Sequence, residues 1–291
     1  MGWMRRGAML GTLLTLIMIG ATGTARATIS ISVGTCNATY CDFTVTANEW
    51  VEVLVGKYSV SGTSYNAVCA KDSSGNCDAC AHAQSGGNPV DTSDVRVFGS
   101  DNIDLMRLAD RTGESCTGHS IIGSLDDAAD QFMFWGGGGN DEIHLCDTTG
   151  SSEPSTSDCL ALASGMNAGR ADGRAGVDYI YGSPYDENLW GGSEVDHIYA
   201  FSGEDYVHGG PDTDYLYGGD DWDYLDGAEG SIDYCNCGED ANPSGDYCEC
   251  SWAYHCNHYC SESPEREFSG VPGESACDDG SPDAGGACDG S

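Results

Sequence analysis

Residues 209–227 read GGPDTDYLYGGDDWDYLDG. Six aspartates fall in this stretch: Asp212, Asp214, Asp220, Asp221, Asp223 and Asp226. Like charges at that density repel, so the segment folds only if something offsets the repulsion. The acids are not scattered. Asp214 and Asp223 each stand two residues before a leucine, Leu216 and Leu225, and each follows a glycine pair, Gly209–Gly210 and Gly218–Gly219.

Reading outward, the same pattern recurs every nine residues from Gly173: GRAGVDYIY, GSPYDENLW, GGSEVDHIY, AFSGEDYVH, GGPDTDYLY, GGDDWDYLD. Self-similarity at a fixed short period sets the architecture. Position one is glycine in five of the six units. Position six is Asp178, Glu187, Asp196, Asp205, Asp214 and Asp223, and position eight is Ile180, Leu189, Ile198, Val207, Leu216 and Leu225. A random acidic tract does not hold two residue types in register over six copies. The last three positions read as a short strand with position eight facing inward and positions seven and nine outward. The first six form a turn in which glycine supplies positive φ. Two units then close one coil of 18 residues, and coils stack through parallel strands about 4.8 Å apart. The predicted fold is all-β: a short parallel β-roll, or β-solenoid, flanked by disulfide-rich β and irregular segments.

Stacking at 18 residues aligns Asp178, Asp196 and Asp214 on one edge, and Glu187, Asp205 and Asp223 on the other. Two carboxylates about 5 Å apart repel by roughly 3 kcal/mol at an effective dielectric near 20. One buried aliphatic residue per unit returns only about 1.5–3 kcal/mol before chain entropy is charged against it. A cation between the acids reverses the sign of the repulsion. The donors are carboxylates and turn carbonyls, all oxygen, with no Cys or His at the ligand positions. That set suits Ca²⁺ better than Zn²⁺, and better than Mg²⁺ with its strict octahedron.

At these residues the chain resembles the hemolysin-type calcium-binding repeat of the RTX family, G-G-x-G-x-D-x-U-x with U aliphatic. GGGGNDEIH at 136–144 is a full match. The resemblance implies a parallel β-roll with Ca²⁺ held between stacked turns. It places candidate metal ligation at Gly136, Gly137, Gly139 and Asp141; Gly173, Gly176 and Asp178; Glu187; Gly191, Gly192 and Asp196; Gly203 and Asp205; Gly209, Gly210 and Asp214; and Gly218, Gly219 and Asp223. Position four departs from glycine at Tyr185, Glu194, Asp212 and Asp221, and Phe201 replaces glycine at position two. The second unit carries Glu187 in place of Asp and lacks the glycine pair. Six units make three coils, for which the cysteine-rich flanks serve as covalent caps.

The rest of the chain sets the context. Arg5 and Arg6, the apolar run AMLGTLLTLIMIG and the small-x-small triplet Ala25-Arg26-Ala27 have the layout of a secretory signal peptide over residues 1–27. The chain has a formal charge of −36. Three of its 11 basic residues and none of its 47 acids lie in that leader, so the remainder carries −39. Such a surface disfavours nucleic acid and anionic membranes and favours cations. No later run is apolar enough to span a membrane. All 16 cysteines follow the leader, and none lies between 160 and 234. In an exported chain these read as disulfides, including the Cys77-x-x-Cys80 pair and a Cys277–Cys288 loop. His255 and His258 beside Cys256 and Cys260 read as bystanders to disulfides rather than as a metal site. The predicted order is signal peptide 1–27, β-rich Cys-containing region 28–95, degenerate repeat region with a Ser/Thr-rich loop 96–172, β-roll 173–234, Cys-rich cap 235–260 and acidic flexible tail 261–291.

The EF-hand pattern fails at Leu225 and Asp226, and neither HExxH nor GxSxG occurs. No catalytic residue is assigned. Tyr179, His197 and Tyr215 at position seven, and Tyr181, Tyr199 and Tyr217 at position nine, form an outward aromatic ladder, read either as stacking along the roll or as a platform for a partner. The main expectation is an exported calcium-binding protein, secreted or held at a bacterial cell surface, in which Ca²⁺ bridges turn carboxylates and drives folding. Two alternatives stay open: an adhesin or glycan-binding module using the Tyr ladder with a cell-surface glycan or protein as partner, and a hydrolase with a site in the N-terminal half. Oligomeric state is not legible.

Overall fold

A computed structural model describes residues 28–37, 40–60, 63–85, 88–89, 94–102, 104–108, 115–116, 119–123, 131–146, 169–228, 232–238, 246–250 and 252–254. The signal peptide, the Ser/Thr-rich loop at 148–159, His255, Cys256, His258, Cys260, the Cys277–Cys288 loop and the acidic tail lie outside the described residues. Every regular element among the described residues is a strand.

Two sheets face each other. Beyond an N-terminal edge strand, the first stacks Tyr40–Thr46, Asp94–Phe98, Gln131–Gly138, Gly169–Ala175, Glu187–Ser193, Tyr206–His208, Tyr224–Asp226 and Tyr247–Glu249 in that order. The second stacks Val51–Val60, Asp104–Leu108, Glu142–His144, Tyr179–Ser183, His197–Ser202, Tyr215–Asp220, Tyr234–Asn236 and Trp252–Tyr254. The chain alternates between sheets at each strand of these two stacks, and each neighbouring pair within them is parallel. This is a β-roll of eight coils among the described residues.

The register confirms the inward position eight. Ile180 aligns with Ile198 and Leu216, and Leu189 with Val207 and Leu225. All six are fully buried. The same two columns extend toward the N-terminus: through Ala171, Phe134, Val97 and Phe43 in the first sheet, and through Ile143, Met106 and Val53 in the second. One inward residue per strand therefore makes a continuous core between the sheets.

The parallel stack continues beyond residues 173–234, through the β-rich N-terminal part and into the cysteine-rich segment. The physical reason is that stacking needs only an inward residue and an aligned backbone. A strict period of nine is needed only where both turns are tight. Toward the N-terminus, long connections from Leu108 to Gln131 and from His144 to Gly169 return the chain to the first sheet, which stretches the interval between stacked acids to 37 residues.

At the N-terminal end the roll is closed by antiparallel strands. Ser30–Cys36 pairs with Tyr40–Thr46, and Thr63–Asp72 and then Cys77–His82 add to Val51–Val60. Such strands cover what would otherwise be an open edge. Disulfides Cys36–Cys41 and Cys69–Cys80 staple them. Cys80 thus pairs with Cys69 and not with its CxxC neighbour Cys77, which is itself disulfide-bonded. At the other end Cys235 and Cys248 occupy the inward slots above Leu216 and Leu225. They join Cys250 and Cys237, so disulfides continue the aliphatic core. No helix among the described residues is long and apolar enough to cross a membrane.

Candidate metal centre

The turns run along the two edges of the roll, and each edge carries a column of buried acids. On the first edge the backbone N–H of each acid donates to the carboxylate of the acid one coil later. Asp104 donates to Asp141 (2.8 Å), Asp141 to Asp178 (2.6 Å), Asp178 to Asp196 (2.8 Å), Asp196 to Asp214 (2.8 Å) and Asp214 to Asp233 (2.9 Å). On the second edge Glu187 donates to Asp205 (2.7 Å), Asp205 to Asp223 (3.0 Å) and Asp223 to Asp246 (3.1 Å). The predicted alignments 178/196/214 and 187/205/223 are both present.

Each of these bonds uses Oδ1. The second oxygen stands differently. Oδ2 of Asp141, Asp178, Asp196, Asp205 and Asp214 is buried and meets no hydrogen-bond donor. A buried carboxylate oxygen without a partner costs free energy, yet here the defect recurs at five of the turns. A polar defect repeated with the period of the fold is the mark of a ligand position. Position-one glycine leaves that oxygen its space. A Cβ on Gly136, Gly173, Gly191, Gly209 or Gly218 would lie 2.2–2.5 Å from the Oδ2 of its own unit's aspartate. On Gly136, Gly173 and Gly191 it would also lie 2.6–2.7 Å from the carbonyl oxygen of the next coil's glycine. A carboxylate oxygen and a backbone carbonyl thus converge in one small all-oxygen cradle. These residues fit a hard divalent cation.

Positions two and four bend the turn. Gly137, Gly192, Gly210 and Gly219 at position two, and Gly139, Gly176 and Gly203 at position four, have φ between 103° and 130°. The departures from the glycine pattern keep the same backbone: Arg174, Glu194, Phe201, Asp212 and Asp221 all have φ of 77–88°. The turn shape is therefore imposed by the stack, even where the side chain disfavours it.

Burial raises the acids. The carboxyl of Asp141 is pushed up to about 8, Asp178 to about 6, Asp196 to about 8 and Asp214 to about 7, desolvation being the largest cause in each, with charge from neighbouring acids adding to it. Glu187 and Asp205 are held well above the carboxylate range for the same first reason. Without a positive charge in the cradle these groups resist ionising.

Glu187, an expected ligand, has its carboxylate engaged within its own turn. Its two oxygens accept the backbone N–H of Ser183 (3.1 Å) and the Ser183 hydroxyl. Asp104 is closed the same way by Ser100, through N–H (2.7 Å) and Oγ (3.1 Å).

Residues 181–216 and 199–231 match the family model of the RTX calcium-binding nonapeptide repeat, in four copies. The central coils carry RTX repeats. Searches of the curated proteins and of the solved structures give no match. The RTX match ends before Asp233 and Asp246, which the sequence reading also missed, as it did Asp104. Both are fully buried members of the columns, and a Cβ on Gly227 would lie 2.6 Å from Asp233 Oδ2, as at the RTX glycines. The signal was present as Asp-Tyr-Cys at 233–235 and 246–248. It was masked by cysteine at the aliphatic position and by intervals of 19 and 23 residues instead of 18.

Among the described residues, outward aromatics form three stacks of three or more rings. Tyr179, His197, Tyr215 and Tyr234 follow one another at centroid distances of 4.6–5.0 Å; His144, Tyr181, Tyr199 and Tyr217 at 4.6–5.3 Å; and Tyr206, Tyr224 and Tyr247 at 4.7–4.9 Å. Rings are within 25° of parallel throughout. Tyr181, expected to face solvent, is 7% exposed because His144 and Tyr199 cover its two faces.

Proposed function

We propose that this is an exported protein whose β-roll is completed by calcium bound between consecutive turns of the two acid columns. The reading is carried by one observation: the buried, donor-less Oδ2 that recurs at Asp141, Asp178, Asp196, Asp205 and Asp214. These residues, with Asp223, Asp233 and Asp246 in the same columns, hold the ion together with the position-one carbonyls. Bound calcium supplies the positive charge that lets stacked carboxylates ionise in a desolvated edge. The chain supplies the rest: strands fix the coil spacing, glycine at position one clears the cradle, and the N–H ladder aims each carboxylate. Calcium is then structural, and folding of the central coils depends on it.

Export is supported by the leader layout of residues 1–27, the acidic surface and the disulfides. Extracellular calcium modules work at about 10⁻⁴–10⁻³ M, so secretion delivers the chain to its ion. N-terminal sequencing of the secreted product is expected to begin at Thr28. The central test is circular dichroism of the calcium-free mature chain titrated with Ca²⁺ and with Mg²⁺. Calcium is expected to raise the β signal and magnesium to do so far less. A complete roll in excess chelator, with no heat evolved on adding calcium, overturns the reading.

The aromatic stacks favour a structural role over a glycan platform. Sugars stack on exposed ring faces, and the faces of Tyr181, Tyr199, Tyr215 and Tyr224 are covered by neighbouring rings. Their edges alone face outward.

A further inference from the structure

Among the eight column acids whose position-two residue is described, six share one turn design and two share a different one. The exceptions are Asp104 and Glu187. Both stand at the N-terminal start of their column. One coil earlier, the aligned positions hold Val51 and Gly169, not acids. Both are preceded four residues earlier, at position two, by a serine. In both, that serine satisfies the two carboxylate oxygens, one with its N–H and one with its hydroxyl.

The backbone differs in step. Position two has positive φ at Gly137, Arg174, Gly192, Phe201, Gly210 and Gly219, the units whose acids are Asp141, Asp178, Asp196, Asp205, Asp214 and Asp223. Ser100 and Ser183 are not among the positive-φ residues. With ordinary φ the serine turns its N–H toward the carboxylate. In a left-handed unit that N–H goes elsewhere, as when Gly192 donates to the Gly209 carbonyl of the next coil (2.9 Å). At Asp141, Asp178, Asp196, Asp205 and Asp214 the second carboxylate oxygen is left without a donor, whereas at Asp104 and Glu187 both oxygens are engaged.

We propose that Ser100 and Ser183 are terminators of the ion columns: each closes a latent divalent-cation site by hydrogen-bonding the acid that would otherwise ligate. The inference rests on the calcium reading above and deepens it. Two functions follow from one residue choice. The first coil of each column closes without metal, so it provides a preformed template on which the next coil can order. The columns have a defined beginning, so the number of bound ions is fixed by sequence.

A site closed in this way can be opened. Replacing Ser183 with glycine removes the hydroxyl and restores the left-handed option, and Glu187→Asp restores the ligand of the other units. The full mature chain, wild type and Ser183→Gly/Glu187→Asp, is stripped of metal and then titrated with Ca²⁺. Bound calcium per chain is counted by equilibrium dialysis and by native mass spectrometry. Asp196→Asn, in the other column and with a donor-less oxygen, is counted beside them. The expected result is one more calcium in the double variant and at least one fewer in Asp196→Asn. An unchanged count in the double variant, with the loss in Asp196→Asn still seen, overturns the terminator while leaving the calcium reading intact. No change in either variant overturns both. Should the double variant fold poorly, Ser100→Gly puts the same question to the other column: a gain of one supports the proposal, and an unchanged count rejects it.

Discussion

Asp196 has two tasks that conflict. Its Oδ1 must hold the N–H of Asp178, and its Oδ2 must stay open in a desolvated cradle. Asparagine keeps the shape and the first task and removes the charge. Asp196→Asn is therefore expected to change sign with conditions: more stable than wild type without calcium, because a buried acid is gone, and less stable with it, because a ligand is gone. Calcium affinity should fall by about tenfold or more, equivalent to about 1.4 kcal/mol. Asp226 is the control. It lies outside position six, and its carboxylate accepts from His208 Nδ1 (2.9 Å) and the Ala228 N–H (2.9 Å), so Asp226→Asn should leave the titration nearly unmoved. Denaturant melts with calcium and with chelator check both. The same scale separates two kinds of position-two and position-four residue. Glu194 is exposed with φ 80°, and Glu194→Gly is expected to stabilise by about 1 kcal/mol by relieving a left-handed side chain. Gly219→Ala is expected to cost more than 2 kcal/mol, since a left-handed alanine would also place its Cβ 1.7 Å from the Phe201 carbonyl oxygen.

At the scale of the strand, each short element contributes one inward residue and two outward ones, and the outward rings stack on those of the neighbouring coils. Tyr199 lies between Tyr181 at 5.3 Å and Tyr217 at 4.6 Å. Tyr199→Ala removes two such contacts, each worth about 0.5–1.5 kcal/mol beyond area burial. It is expected to lower the melting temperature in calcium while leaving the number of bound ions unchanged; a drop in ion count instead would show that the stack positions the turns. The strands between 173 and 226 were legible because their turns are tight, so glycine, acid and aliphatic residue recur in fixed phase. The remaining coils were hidden by the same logic. Asp104 and Asp141 belong to one column, but long connections separate them by 37 residues, and no periodicity search bridges that. Cys235 and Cys248 read as a covalent cap because cysteine signals crosslinking first. Their place in the register shows them to be core residues as well. The serine closures at Ser100 and Ser183 were not legible, since a serine at position two carries no meaning until the carboxylate four residues on is seen to fold back onto it.

For the whole molecule, the proposed calcium role predicts that the two columns tie folding to both pH and calcium, with opposite signs. Asp141 and Asp196 are raised to about 8, Asp214 to about 7 and Asp178 to about 6 in the folded chain, against an ordinary value near 3.9 when unfolded. For an acid raised on folding, the native state binds more protons than the unfolded state between the two values, so native stability falls as pH rises through that window. In calcium-free solution the penalty is absent below about pH 4, grows from there through pH 6–8, and is complete above the folded values. Calcium reverses the dependence, because the ligand is the ionised carboxylate and protons compete with the metal. The calcium-free mature chain, with its disulfides intact, is therefore expected to hold more β structure and melt higher at pH 5 than at pH 8. The rise in melting temperature on adding calcium should be small at pH 5 and large at pH 8. Melts followed by circular dichroism at unit pH steps, with metal-stripped buffer and with millimolar calcium, give both curves. A calcium-free chain that is equally stable at pH 5 and pH 8 would mean that the stacked acids are not desolvated as a column. The repeating open oxygen would then lose its energetic meaning.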